Sequence, residues 1–248
     1  MHDAWIMIKR SMLIVLRSPE AMVMAVITPF FLMVLFGTVF GNIADIGAYN
    51  YIDFIVPGIV LQSVAQGTQY TAVNVYNDMS KGIIDRFRSM PISKASVLTG
   101  HAAASIVRNT ITTAVIIGTA FIVGFRPQGG FTDWLIAAGI LTLFNIAISW
   151  MAILFGLLSK TPDGAIGFMF PFFILPFISS GFAPIETMPR WLRWFAEYQP
   201  MSPVIDATRN AMMDFPRDNS LWWALIWCVG ITVFAFTCAV QVFKRRTV

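Results

Sequence analysis

At 248 residues the chain is long enough for one or two domains. Hydrophobic residues make up 57% of it and charged residues 12%, roughly half the charged share of a soluble domain, and mean hydropathy is +0.70. That much apolar surface excludes a soluble enzyme, a disordered chain and a secreted disulfide scaffold; the net charge of +4 then reports orientation in a membrane rather than nucleic-acid binding.

The start does not read as a cleavable leader, because Lys9 and Arg10 interrupt its apolar stretch and no small-residue cleavage site comes after it. Trp5, Ile8, Met12, Val15 and Leu16 fall on one helical face, with Asp3, Arg10 and Arg17 opposite. This pattern predicts a helix at 1–18 lying in the membrane interface, and Ser18-Pro19-Glu20 separates it from the first apolar run, since proline opens a new helix. Six apolar stretches lie near 21–41, 54–77, 98–124, 133–158, 164–182 and 221–243, each close to the roughly 20 residues a bilayer requires. The fifth is the shortest and carries Pro171 and Pro176, so a kinked or broken helix is expected there.

Lysine and arginine sort by side. Lys9, Arg10, Arg17, Lys81, Arg86, Arg88, Lys94, Lys160, Lys244, Arg245 and Arg246 fall on one side; Arg126, Arg190, Arg193, Arg209 and Arg217 fall on the other. By the positive-inside rule both termini are cytoplasmic and the protein is multi-pass. Arg108 is left inside the third span, where snorkelling toward the interface is the expected relief.

The loop after the second span, 78–93, reads as a short amphipathic helix. Ile83, Ile84, Phe87 and Met90 form its apolar side and Lys81, Asp85, Arg86 and Arg88 its polar side; Pro91 ends it. By these residues alone it is either a docking surface for a soluble partner or a helix resting on headgroups. The segment 183–219, between the fifth and sixth spans, is too apolar for a loop in water and too short to span. Arg190-Trp191-Leu192-Arg193-Trp194-Phe195-Ala196-Glu197-Tyr198 and a second run ending at Met213 predict two re-entrant or interfacial helices in the outer leaflet. Asp206 and Arg209, at i and i+3, are spaced to pair. Within the spans, Gln62, Gln66 and Gln69 share one face with Ser63 and Tyr70 beside it, and Thr142, Asn145 and Ser149 share another. Such groups meet either one another or a cavity.

Catalytic chemistry has no foothold. There is no G-x-x-x-x-G-K-[ST], no G-x-G-x-x-G after a strand and no H-E-x-x-H. His2 and His101 have no cysteine or carboxylate at ligand spacing, and Cys228 and Cys238 have no C-x-x-C pairing, so neither a metal site nor a disulfide is expected. Every aspartate and glutamate falls in a loop or near a span's end, which argues against an ion-coupled carrier or a channel independent of ATP.

Three stretches resemble a known family. They are Tyr51-Ile52-Asp53-Phe54-Ile55-Val56-Pro57-Gly58-Ile59, the loop 81–93, and Ile178-Ser179-Ser180-Gly181-Phe182-Ala183-Pro184 through Met188-Pro189-Arg190-Trp191-Leu192 to Gln199-Pro200-Met201-Ser202-Pro203. Together they resemble the ABC type-2 exporter permeases, close to the daunorubicin-resistance-like drug-efflux branch, over nearly the whole chain. One departure is that the family's loop before the third span opens with a Glu-rich run, where this chain has Asp78-Met79-Ser80-Lys81-Gly82-Ile83.

The resemblance implies an all-α integral membrane fold and a single transmembrane domain over 1–248, with no catalysis of its own. It implies coupling to the ATPase through Gly82, Ile83, Ile84, Asp85, Arg86, Phe87, Arg88 and Met90. The partners would be two copies of a soluble ABC ATPase subunit carrying ATP and Mg, and a second permease chain, a homodimer in preference to a heterodimer. An amphipathic drug or antibiotic is the expected cargo, with a lipid or lipid-linked glycan as the alternative, exported across a bacterial cell membrane. Gln62, Gln66, Gln69, Tyr70, Asn145, Ser149, Phe168 and Phe172 are the expected lining of its path, and Glu186, Trp191, Trp194, Asp206 and Arg209 mark the outer segment.

Overall fold

The computed structural model of the protein describes residues 19–39, 50–80, 94–215 and 218–246. Among them there are only helices, turns and loops. Eight α-helices occur in chain order: α1 Pro19–Val39, α2 Tyr51–Ser80, α3 Lys94–Val123, α4 Phe131–Leu158, α5 Pro162–Ile174, α6 Arg190–Tyr198, α7 Met201–Met213 and α8 Ser220–Arg246. Each expected apolar stretch falls on one of the six helices α1 to α5 and α8. The expected interfacial helix at 1–18 and the loop helix at 81–93 lie outside the described residues.

Three helices contain stretches long and apolar enough to cross a bilayer, Val97–Val123, Phe131–Leu158 and Ser220–Arg245; Ile27–Val39 and Pro162–Ile178 are shorter apolar segments. Helix α2 is too polar for that group although it has 30 residues and, at about 1.5 Å per residue, measures some 45 Å. The reason is its position. It packs against α1, α3, α4, α5 and α7, so that Asp53, Gln62, Ser63, Thr68 and Thr71 are buried in protein. Helix α4 is also central, whereas α3 and α8 bury only 17% and 22% of their apolar windows and turn the rest outward. The larger core cluster is built on Ile55, Ile59, Leu61, Phe144, Ile148, Val204 and Ile205. A second, where α3, α4 and α8 meet, contains Leu98, Trp150, Ile153, Leu157 and Phe243.

Helix boundaries reflect local chemistry. Thr161 caps α5, its hydroxyl accepting from the Gly164 amide at 3.0 Å, with Pro162 in the first turn. The α-helix stops at Ile174, and a 3₁₀ turn, Leu175–Ile178, takes over around Pro176. This is the break expected from the two prolines. It frees carbonyls that need donors, and Gln199 supplies them: its Nε2 donates to Leu175 O and Ile178 O, both at 3.3 Å, and to Ser202 Oγ at 3.3 Å. Helix α7 ends where Asp214 adopts a left-handed conformation, φ 56°.

Two contacts bring backbones together. A Cβ on Gly58 of α2 would lie 2.7 Å from the Gly181 carbonyl oxygen, so the chain beyond the broken helix rests directly on α2. Likewise Gly156 of α4 leaves no room for a side chain against the Ala72 carbonyl of α2.

Candidate functional site

Helices α2 and α3 run antiparallel, as do α3 and α4, giving the bundle a Tyr51 end and a Ser80 end. Between them lies a polar cluster shared by α2, α3 and α4. Thr71 Oγ1 donates to Ser105 Oγ at 3.0 Å, and Ser149 Oγ donates to the same oxygen at 2.9 Å. Asn109 Nδ2 donates to Asn145 Oδ1 at 2.9 Å, while Asn145 Nδ2 donates to Ile106 O at 3.0 Å. All five side chains are buried. Asn145 and Ser149 therefore meet partners on α3 within the protein. Thr142, expected on the same face, is exposed.

The glutamine face of α2 also divides. Gln62 is completely buried and neither atom of its carboxamide has a hydrogen-bond partner; Gln66 and Gln69 are half-buried, and Tyr70 is 47% exposed. Arg108 does not snorkel along its own helix. Its Nη2 crosses to α2, donating to Gly67 O and, at 2.9 Å, to Thr71 Oγ1, and the guanidinium carbon lies 5.9 Å from the centre of the Tyr70 ring.

Aromatic rings run along α5. Phe168 and Phe172 both contact Phe155 of α4, at 5.5 and 6.2 Å between centroids. Phe173 leads to Phe177, Phe177 stacks on Phe182 at 4.7 Å, and Phe182 meets Phe36 of α1. Phe168 and Phe170 are about half exposed, so this ladder has an open side.

At the Tyr51 end, Arg209 is the organising residue. Nε donates to Phe54 O at 3.1 Å, Nη1 to Asp206 Oδ1 at 2.8 Å and Nη2 to Ser180 O, with the guanidinium 3.8 Å from the Phe54 ring centre. Burial pushes the Asp206 carboxyl up, and the adjacent guanidinium pulls it back. The expected pair therefore forms, but inside protein instead of near lipid, because α7 is buried between α2, α4 and α8. Tyr51 Oη adds a second tie, donating to Phe182 O at 2.7 Å. Beside Arg209 opens a cleft of about 410 Å³ whose charged lining, among the described residues, is Asp53, Glu186, Asp206, Asp218 and Arg209.

Helix α6 behaves differently from α7. Trp191 is 74% exposed and Trp194 66%, with Tyr198 beside them, while only Ala196 is buried. Trp222 and Trp223 at the start of α8 are exposed at the same end. Tryptophan and tyrosine gathered at one end of a bundle is the composition of a membrane–water interface.

At the Ser80 end, His101 Nε2 lies 3.2 Å from Asp78 Oδ2, a partner 23 positions away that the sequence spacing gave no sign of. Among the described residues no three His, Cys, Asp or Glu side chains gather as metal ligands. The coupling residues Gly82, Ile83, Ile84, Asp85, Arg86, Phe87, Arg88 and Met90 lie outside the described residues.

A buried polar seam, an aromatic ladder and a glycine-seated turn held by Arg209 and Gln199 belong to a membrane bundle built around α2. Compared with known proteins, the sequence matches the ABC-2 type transporter family over residues 2–213. The chain belongs to that family.

Among relatives of this ABC-2 permease is the daunorubicin resistance ABC transporter permease protein DrrB1 of Streptomyces coeruleorubidus, 28% identical over 232 residues, covering 91% of this chain and 81% of the relative. The probable doxorubicin resistance ABC transporter permease protein DrrC of Mycobacterium tuberculosis is 30% identical over 221 residues, 87% and 78% of the two chains. The inner membrane transport permease YadH of Escherichia coli is 22% identical over 200 residues, 78% and 76%. Members of the family are membrane subunits of transporters, and this one is a multi-pass membrane protein by its apolar helices.

Proposed function

We infer that this chain is the transmembrane subunit of an ATP-driven exporter that moves an amphipathic drug or antibiotic outward from the cytoplasm or inner leaflet of a bacterial cell membrane. The family match, joined to relatives named for daunorubicin and doxorubicin resistance over more than four-fifths of the chain, is the observation that carries it. Helices α1 to α5 and α8 are then six spans, with the Ser80 end and both termini cytoplasmic. Helices α6 and α7 enter the outer leaflet without crossing it. ATP and Mg belong to two copies of a soluble ATPase, and two permease chains, a homodimer in preference, complete the exporter. One transmembrane domain occupies the whole chain.

ATP-driven closure of the ATPases pushes on the loop 81–93 and on the N-terminal helix. The spans shift as rigid bodies and a path opens outward. On this reading the exposed side of the Phe168–Phe172 ladder and the Gln66, Gln69 and Tyr70 edge of α2 line the route, and the acidic cleft beside Arg209 lies at its outer mouth.

The test is ATP-dependent uptake of an amphipathic drug into inverted vesicles containing the chain and its ATPase, with a hydrolysis-dead ATPase as control. Uptake that disappears in the control supports drug export. A complex that hydrolyses ATP but takes up no drug points to a lipid or lipid-linked glycan. Replacing Phe87 with Asp places a charge on the apolar side of the loop helix; uptake is expected to fall to the control level while the chain still reaches the membrane. Undiminished uptake would remove the loop from the coupling pathway.

A further inference from the structure

We propose that Arg108 is a binding site, at mid-height in the bundle, for the anionic headgroup of an amphiphile. The inference rests on α3 being a membrane span, and it is independent of which cargo is exported.

Position comes first. Arg108 is 14 residues from Lys94 and 15 from Val123, the ends of α3, so it stands about 21 Å from either end at 1.5 Å per residue. A cation there has no water to stabilise it and is retained where it meets an anion or a polar cavity. Among the described residues the protein does not supply the anion. The sequence has 13 aspartates and glutamates. Those on the span helices are Glu20 in α1, Asp53 and Asp78 in α2, Asp133 in α4 and Asp163 in α5, each within three residues of its helix's end. The span helices of a second copy have the same distribution, so they bring no carboxylate to this depth either.

The guanidinium is nonetheless held in place. Nη2 is spent on Gly67 O and Thr71 Oγ1, and Thr71 is itself fixed because its proton goes to Ser105. Nε is buried without an acceptor, and no hydrogen bond engages Nη1 among the described residues. The fixed cation has unspent donors, and its neighbours on α2 continue the polarity. Tyr70, in contact with it, is about half exposed, and Gln66 and Gln69 are half-buried on either side of Gly67. One turn beyond Gln66, Gln62 holds a carboxamide with no partner. An arginine whose remaining N–H groups lack acceptors, in a low-dielectric surround, binds a phosphate or carboxylate by charge-assisted hydrogen bonds. An amphiphile delivers such a group to this depth with its chains among Val107, Ile111 and Val115, the exposed apolar residues of the same helix.

The anion has two possible sources, a membrane phospholipid or a transported molecule, and the experiment separates them without requiring transport. The purified permease is titrated with phosphatidic acid and, separately, with dodecyl phosphate; phosphatidylcholine, which carries no net charge, is the control, and bound molecules are counted by native mass spectrometry. The wild type should retain one phosphate amphiphile per chain. Arg108→Gln should weaken that retention at least tenfold, and Arg108→Lys should restore most of it. Arg108-dependent retention of phosphatidic acid assigns the site to lipid; dependence for dodecyl phosphate alone assigns it to cargo. Equal retention by wild type and Arg108→Gln in both titrations would overturn the proposal and leave Arg108 as a pin between α2 and α3. Should Arg108→Gln fail to fold, failure of phosphate amphiphiles to raise the wild-type melting temperature above that in phosphatidylcholine would overturn it equally.

Discussion

Two arginines sit inside this bundle, and they are held in opposite ways. Arg209 has an acceptor for each of its three nitrogens, a carboxylate among them, and an aromatic ring against its face. Arg108 leans on one carbonyl and one hydroxyl, with no carboxylate in reach among the described residues. The first ties three separated stretches of chain together: the start of α2, the turn after α5, and α7. The second joins two neighbouring helices that other contacts already join. Satisfied charge serves architecture, whereas unsatisfied charge retained at mid-membrane calls for a ligand.

Stability measurements in detergent can break or sharpen this contrast. Arg209→Leu should have the largest effect, about 3 kcal/mol of destabilisation, because it leaves the partly buried Asp206 carboxylate without its partner and removes the ties to Phe54 and Ser180. Thermal unfolding would read this as a large drop in midpoint; a small drop would show that the ties through Tyr51 and Gln199 suffice. Asp206→Asn makes Arg209 resemble Arg108, a cation held by neutral acceptors only. It should cost about 1.5–3 kcal/mol, the worth of a charge-assisted hydrogen bond, and a cost equal to that of Arg209→Leu would mean that the carbonyl contacts contribute nothing.

Arg108→Leu should move the midpoint the other way. An insertion cost of roughly 3 kcal/mol for arginine at a helix centre exceeds what two hydrogen bonds at the average of about 0.6 kcal/mol each return, leaving a net gain of about 2 kcal/mol. Marked destabilisation in ligand-free detergent would place Arg108 in the same class as Arg209. The smallest effect is expected for Ser149→Ala, about 0.6 kcal/mol for a single interhelical hydrogen bond behind Arg108. A larger loss would indicate that the polar seam acts as a unit, which a double substitution with Ser105→Ala would then resolve.

Much of this architecture is legible in the sequence, for reasons that also mark the limit. Long apolar runs locate α1 to α4 and α8 to within about four residues; the fifth run, 164–182, outlasts α5, which ends at Ile174, and Pro171 with Pro176 announces that break. The i, i+3 spacing of Asp206 and Arg209 gives their ion pair, since helix geometry alone brings them together. What escapes is every contact that depends on which helix lies next to which. Arg108 meets Gly67 across 41 positions, Tyr51 meets Phe182 across 131, and Arg209 meets Phe54 across 155. Periodicity places Thr142, Asn145 and Ser149 on one face of α4; it has no information on which of the three a neighbouring helix buries. Gln199 looks like an ordinary turn residue until the carbonyls freed at Pro176 give it a purpose.

The seat of Gly181 on Gly58 has a mechanical consequence. Most helix contacts are cushioned by side chains that can change rotamer and absorb a displacement of an ångström. Here main chain bears on main chain, so the joint has almost no slack. Helix α2 is a rod some 45 Å long whose far end adjoins the loop 81–93. On the proposed coupling, a thrust delivered there would meet this joint at the opposite face of the bundle, where the turn that Arg209 and Gln199 hold rests on α2.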